Sequence, residues 1–216
     1  MKIQTYEGGF DKNFCHLIWC EKTKIAGIVD PSVAIQPIIE KIEKENLFLD
    51  KIFITHTHHD HIFYLDDYKY LYPNLKIICH EKPEKSFKYS ITKQEDYELT
   101  SLGEEIFISI HSPGHHSDSI CYYNEKNKIL FTGDTIFVGR TGRTIGNKSN
   151  IIDLYKSVYN KILTLSPDTI IYPGHNYGYK KCISIKENIE LSDFFQCKSL
   201  DEFKNIMKKF EDNRKR

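Results

Sequence analysis

Lys51-Ile52-Phe53-Ile54-Thr55-His56-Thr57-His58-His59-Asp60-His61 is the stretch on which the reading of this chain turns. The apolar run Ile52-Phe53-Ile54 reads as the end of a buried strand. Four potential metal ligands follow within six residues, in a His-x-His-x-Asp-His pattern. If the chain stays extended past Thr55, alternation points His56 and His58 the same way. A turn after them brings Asp60 and His61 round to a second, adjacent centre. Neutral imidazole and carboxylate suit zinc, iron or manganese without help from cysteine. The competing reading is a His-rich surface loop in which Asp60 merely caps a helix over 62–71.

Three later points decide between the two. A strand-like alternation over 106–110 leads to Ser112-Pro113-Gly114-His115. Lys128-Ile129-Leu130-Phe131 runs into Thr132-Gly133-Asp134-Thr135, and an apolar stretch over 169–172 ends in Pro173-Gly174-His175. Each strand end delivers one ligand-type residue beside a glycine, where the backbone has to bend sharply. Any one of these is an ordinary turn. Together with the histidine loop they supply a complete set of donors.

The spacing of the apolar runs predicts strands over 2–6, 14–19, 25–29, 51–54, 76–79, 105–110, 119–123, 128–131 and 169–172. It predicts helices over 33–45, 62–71, 151–165 and 199–210, the third with Ile151, Leu154, Tyr155, Val158 and Ile162 at helical intervals. Such an order best fits an α/β protein in four layers (αββα), with two mixed sheets face to face and helices on both outer sides. No linker divides the chain, so residues 1–216 are expected to form one domain, with 180–216 a helical extension. The polar, Lys- and Glu-rich segment 83–99 reads as a surface excursion over the body, in the manner of a lid.

Composition narrows the function classes. The 216 residues suffice for a substantial core. Thirty basic and thirty acidic residues cancel, which leaves no electrostatic footprint for nucleic acid. Arg214-Lys215-Arg216 reads as a solvated tail. No apolar run approaches a membrane span, and 1–10 lacks a signal-peptide pattern, so the cytoplasm is the expected location. The six cysteines include no Cys-x-x-Cys pair and lie mostly in apolar stretches, as buried reduced thiols do.

The motifs at 55–61, 112–115, 131–137 and 172–177, in this order and spacing, resemble those of metallo-β-lactamase-fold hydrolases. The likeness is to the glyoxalase II-like branch, close to persulfide dioxygenase-like proteins, and it runs from about residue 13 to about 190. It implies that His56, His58 and His115 hold one divalent metal and Asp60, His61 and His175 a second, with Asp134 bridging them. Zinc is the expected metal, with iron or manganese as substitutes. The implied activity is hydrolysis of a small thioester such as an acyl-glutathione. Its nucleophile is a hydroxide between the metals, whose pKa they lower, with Asp60 and Asp134 as the catalytic carboxylates. In the dioxygenase reading a single iron is held by His56, His115 and Asp134.

The same resemblance places the loop Gly139-Arg140-Thr141-Gly142-Arg143 beside the site, where Arg140 or Arg143 could bind a substrate carboxylate. It gives Tyr177 a substrate-binding role as well. His59 and His116 adjoin expected ligands and are read outside the ligand set. His16, His80 and His111 are read as hydrogen-bonded structural groups. Full-length glyoxalase II enzymes add a C-terminal helical domain that grips glutathione, and the 41 residues from 176 to 216 are too few for it. Gly174 and Asn176 stand where persulfide dioxygenases usually carry Ala and Asp. Hydrolase, dioxygenase, another hydrolase of the fold and a metal-binding module without turnover therefore all stay open at the level of sequence.

Overall fold

In the computed structural model, which describes residues 1–213, alternation along the strands sorts the apolar residues into three stacked interiors. β1 (Lys2–Gly8), β2 (Asn13–Trp19), β3 (Ile25–Val29), β4 (Phe48–Phe53), β5 (Lys76–His80) and β6 (Thr92–Gln94) form one six-stranded sheet in that order. β7 (Leu99–Leu102), β8 (Glu105–His111), β9 (Ile120–Asn124) and β10 (Ile129–Gly133) begin the second. After the short ribbon β11 (Ile136–Phe137) and β12 (Arg140–Thr141), β13 (Ile170–Pro173) and β14 (Ile183–Ser184) complete it, in the order β14-β13-β10-β9-β8-β7. β3, β4, β5 and β6 run parallel, as do β10 and β13, and the other pairings are antiparallel.

On β4, Ile52 faces outward with Ile54 beyond it, while Phe53 faces inward. Phe53 belongs to one buried cluster with Ile18, Val29 and Ile78 of its own sheet and Phe107, Tyr122 and Phe131 of the other, which makes the central interior. The outward set is covered by α1 (Gln36–Lys44) through Ile38 and Ile42, and by α2 (Leu65–Leu71) through Leu65 and Tyr68. The second sheet's outer face is covered by α3 (Ile151–Ser157), α4 (Ile185–Leu191) and α5 (Leu200–Asn213), with Leu154, Ile185, Phe203 and Met207 among the contacts. Full burial of each such side chain contributes about 1.5–3 kcal/mol. The four-layer αββα expectation is therefore met, and the six cysteines are free thiols. No described helix is long and apolar enough to cross a membrane.

Several elements differ from the sequence-based expectation. The helix expected over 62–71 begins at Leu65, because His59–His61 forms one turn of 3-10 helix first. The helix expected over 33–45 begins at Gln36, just ahead of Pro37, whose fixed φ suits a first turn. The one expected over 151–165 is α-helical only to Ser157 and continues as a π-helical turn, Val158–Ile162. The segment 83–99 is not wholly a surface excursion. It contains β6, whose buried Gln94 accepts from Thr100 Oγ1 at 2.9 Å and Ser109 Oγ at 2.7 Å and so ties the two sheets together. The extension 180–216 starts with β14, which pairs with β13, so it is not purely helical. The basic cluster at 214–216 lies outside the described residues.

The expected structural histidines carry hydrogen bonds, and His16 carries a consequence for stability. Its Nε2–H donates to the Pro173 carbonyl at 3.0 Å, so its Nδ1 accepts from Thr5 Oγ1, also at 3.0 Å. Burial outweighs these contacts and pushes its pKa from 6.5 down to about 4. A folded pKa below the unfolded one means that the unfolded chain takes up the proton first. Stability is thus lost as pH falls from about 6.5 to about 4, by on the order of 3 kcal/mol in total. Urea unfolding of wild type and His16→Gln between pH 7 and 4.5 should give curves that converge as pH falls, since glutamine lacks the titration. Parallel curves would contradict this assignment.

Candidate metal centre

The strand ends meet at one rim of the central interior. β10 and β13 are parallel neighbours, and β8 runs in the same direction as β10 because β9 reverses between them. Their C-terminal loops carry Asp134, His175 and His115. The histidine loop arrives from the other sheet. Past β4 the chain stays extended, with Ile54 N–H bonded to the Ile78 carbonyl and the Thr55 carbonyl accepting from Ile120 N–H. His58 is still extended, with φ −61° and ψ 142°, and the 3-10 turn then swings Asp60 and His61 round.

All seven expected ligands come together. His56, His58 and His115 form one group of donor atoms within 4.8 Å of one another, and Asp60, His61 and His175 form another. His56, His61 and Asp134 form a third group spanning the two. His58 Nδ1 lies 2.9 Å from His56 Nε2 and 3.1 Å from His115 Nε2, and His61 Nε2 lies 3.1 Å from His175 Nε2. Asp134 turns Oδ2 towards His115 Nε2, at 3.5 Å, and Oδ1 towards His61 and His175, at 3.2 and 3.3 Å.

The outward nitrogens of four of these rings are already committed. His61 Nδ1–H donates to Asp30 Oδ2 at 2.8 Å, His175 Nδ1–H to the Asp11 carbonyl at 2.9 Å, and His115 Nδ1–H to the Arg143 carbonyl at 3.0 Å. His56 Nδ1–H is directed at Thr55 Oγ1, 3.2 Å away, whose own proton goes to Asp30. In the neutral form that a metal ligand takes, these tautomers turn their inward Nε2 lone pairs towards one another. Asp134 Oδ1 is buried without a hydrogen bond. Converging lone pairs and an orphaned carboxylate oxygen are what a divalent cation satisfies, so the residues fit a metal.

The electrostatics divide the centre in two. Burial, reinforced by His61, holds His56 well below the ordinary imidazole range, and burial with His115 brings His58 to about 4. His115 is lowered too, chiefly by burial. In the other half burial also opposes the charged form, but Asp134 and Asp30 outweigh it and raise His61. Asp134 and Asp60 together carry His175 up to about 9. The carboxylates of Asp60 and Asp134 resist protonation in spite of their burial, because of His175 and His61.

Arg140, Arg143 and Tyr177 line a small cavity with His115, Asp134, Phe137, Thr141 and Phe210, about 260 Å³ including space open to solvent. The Tyr177 ring stacks on His175 at 4.8 Å, and the Arg140 guanidinium lies over the Tyr177 ring at 4.0 Å. The Tyr177 hydroxyl donates to Asp11 Oδ2 at 2.6 Å. Arg143 is exposed at the rim. His59 is exposed, edge-on to Phe63, and belongs to none of the donor groups. His116 is buried behind His58 between Asp118 and Glu84, the latter 2.8 Å from its Nε2.

Sequence reasoning missed the groups that hold the ligands. Asp30 closes β3 in the left-handed region (φ 54°), which aspartate tolerates, and accepts from Thr55 as well as His61. Asn13 Nδ2–H donates to Asp60 Oδ2 at 2.8 Å. Asp30 follows an apolar run as Asp134 does, so the same pattern could have found it. Asp11 acts on His175 through its carbonyl, which no residue pattern marks.

Residues 8–175 match the metallo-beta-lactamase superfamily, and the chain belongs to that family. It is 35% identical over 175 residues to the probable hydroxyacylglutathione hydrolase glo2 of Schizosaccharomyces pombe. That match covers 78% of this chain and 66% of the relative, so the chain spans just under two thirds of that protein's length. It is 28% identical over 207 residues to the probable polyketide biosynthesis zinc-dependent hydrolase BaeB of Bacillus velezensis, covering 95% and 91% of the two chains. Among solved structures, ETHE1 from Myxococcus xanthus superposes with a TM-score of 0.86 at 26% identity, over 96% of this chain and 90% of that one.

Proposed function

We propose that the protein is a dinuclear metal-dependent hydrolase of small thioesters, an acyl-glutathione or a related thiol conjugate being the substrate class. The observation that carries the reading is the attitude of Asp134, with one carboxylate oxygen towards each group of histidines. That is the disposition of a bridge between two cations. His56, His58 and His115 would hold one, Asp60, His61 and His175 the other, and zinc suits such a nitrogen and oxygen set. When bound, a pair of such ions makes water nucleophilic near neutral pH and polarises the carbonyl it attacks.

The chain's own residues do the rest. Asn13 fixes Asp60 Oδ2, leaving an ionised carboxylate at the centre to orient the attacking water and accept its proton. Arg140, braced on Tyr177, and Arg143 at the rim supply positive charge for a carboxylate on the thiol moiety. The Tyr177 hydroxyl is turned away to Asp11 and so is not offered to a leaving group. A thiolate departs without a proton, whereas an amine does not, which favours thioesters over amides. The name hydroxyacylglutathione hydrolase borne by the S. pombe relative supports the same substrate class. Free cysteines throughout agree with a place in the reducing cytoplasm.

Metal analysis of the purified protein alongside thioester and persulfide turnover assays tests the proposal. Two zinc-like ions with thioester cleavage are expected. One iron per chain with oxygen consumption on a persulfide would instead establish the dioxygenase reading.

A further inference from the structure

We infer that the missing side chain at Gly174 is what lets the second half of the centre assemble, so that residue 174 sets whether the protein holds two metals or one. The inference rests on the dinuclear reading above. A Cβ built on Gly174 would lie 2.6 Å from Asp134 Oδ1 and 2.6 Å from His61 Cε1, closer than real side chains approach. Neither contact is the loose end of a flexible side chain. His61 is buried and tethered through Nδ1 to Asp30, and Asp134 Oδ1 is buried against His61 and His175.

Nor can the backbone give way. Gly174 N–H donates to the Gly133 carbonyl at 2.8 Å, and the Gly174 carbonyl accepts from Phe14 N–H at 2.7 Å. Residue 174 is thus clamped between β10 and the start of β2. A methyl group there has to displace His61 and the Oδ1 side of Asp134. The three atoms nearest the methyl are Asp134 Oδ1, His61 Cε1 and the Gly133 carbonyl carbon at 3.1 Å, so neither Oδ2, which faces His115, nor any atom of His56, His58 or His115 is among its closest contacts. The damage therefore falls on one half of the centre. Gly174 acts as a positioning residue, because it touches ligands and not substrate.

Zinc stoichiometry and affinity, measured by calorimetric titration of metal-free Gly174→Ala with circular dichroism as the check on folding, test this. The variant should keep the first equivalent at wild-type affinity and bind the second about 10- to 100-fold more weakly, the range seen when groups that orient metal ligands are altered. Two equivalents at unchanged affinity would overturn the inference. A wild type that holds only one equivalent would overturn the dinuclear reading itself, a separate result. Should Gly174→Ala fail to fold, thermal unfolding in a His61→Ala background decides. There the added methyl has lost one of its two closest obstacles, so the double variant should fold and show a cooperative transition. A double variant that fails to fold while His61→Ala itself folds would contradict the mechanism.

Discussion

Asp134→Ala should lower thioester turnover by about a thousandfold or more and leave at most one metal equivalent bound. Its two oxygens face the two halves of the centre, so the substitution removes a donor from each. It also removes a negative charge lying between two cations, which then repel each other more strongly at short range with little water to screen them. Several kcal/mol of lost electrostatic stabilisation is about three decades in rate. His59→Ala provides the control. That ring is exposed and outside the donor groups, so this variant should keep two ions per chain. Elemental analysis of both variants beside steady-state kinetics checks the pair. Full metal content in Asp134→Ala, or loss of an equivalent in His59→Ala, would mean that the ligand set is wrongly drawn.

Replacing Arg140, Arg143 and Tyr177 together by alanine should raise KM for a glutathione thioester by about tenfold or more, since a charge-assisted hydrogen bond contributes roughly 1.5–3 kcal/mol. The three line one cavity that reaches His115 and Asp134, so they meet the substrate where it meets the centre. Their roles differ. Arg140 is held over the Tyr177 ring, and Tyr177 is itself stacked on His175 and bonded to Asp11, so the aromatic ring sets the height of the guanidinium. Arg143 offers its side chain at the rim while its carbonyl fixes His115 Nδ1. Alanine keeps that carbonyl, so Arg143→Ala alone should leave metal content unchanged. An unaltered KM would mean that the thiol moiety binds elsewhere, and brisk β-lactam hydrolysis by the wild type would mean another substrate class.

The convergence of the seven candidate ligands was legible in the sequence because each lies in a loop that follows an apolar run, and a strand's end is the most strongly marked point in an α/β chain. The layer order followed from the same runs. What stayed hidden lies in contacts that leave no local pattern. Asp11 orients His175 through a backbone carbonyl and Asn13 reaches Asp60 across 47 positions, so neither leaves a local pattern. β11, β12 and β14 are two residues each and exist only by pairing with partners that the fold supplies. β6 was concealed by its polar composition, since Gln94 is buried through hydrogen bonds and not through apolar contact. Phe210 ends the helix expected over 199–210, and only the packing of α5 shows that it also walls the cavity.

The most direct test of the central claim is a titration of metal-free protein with zinc, following thioester hydrolysis at each addition. With two cooperating sites bridged by Asp134, the rate should stay low through the first equivalent, rise steeply through the second and then level off. Full activity at one equivalent, with no further rise, would contradict a dinuclear centre.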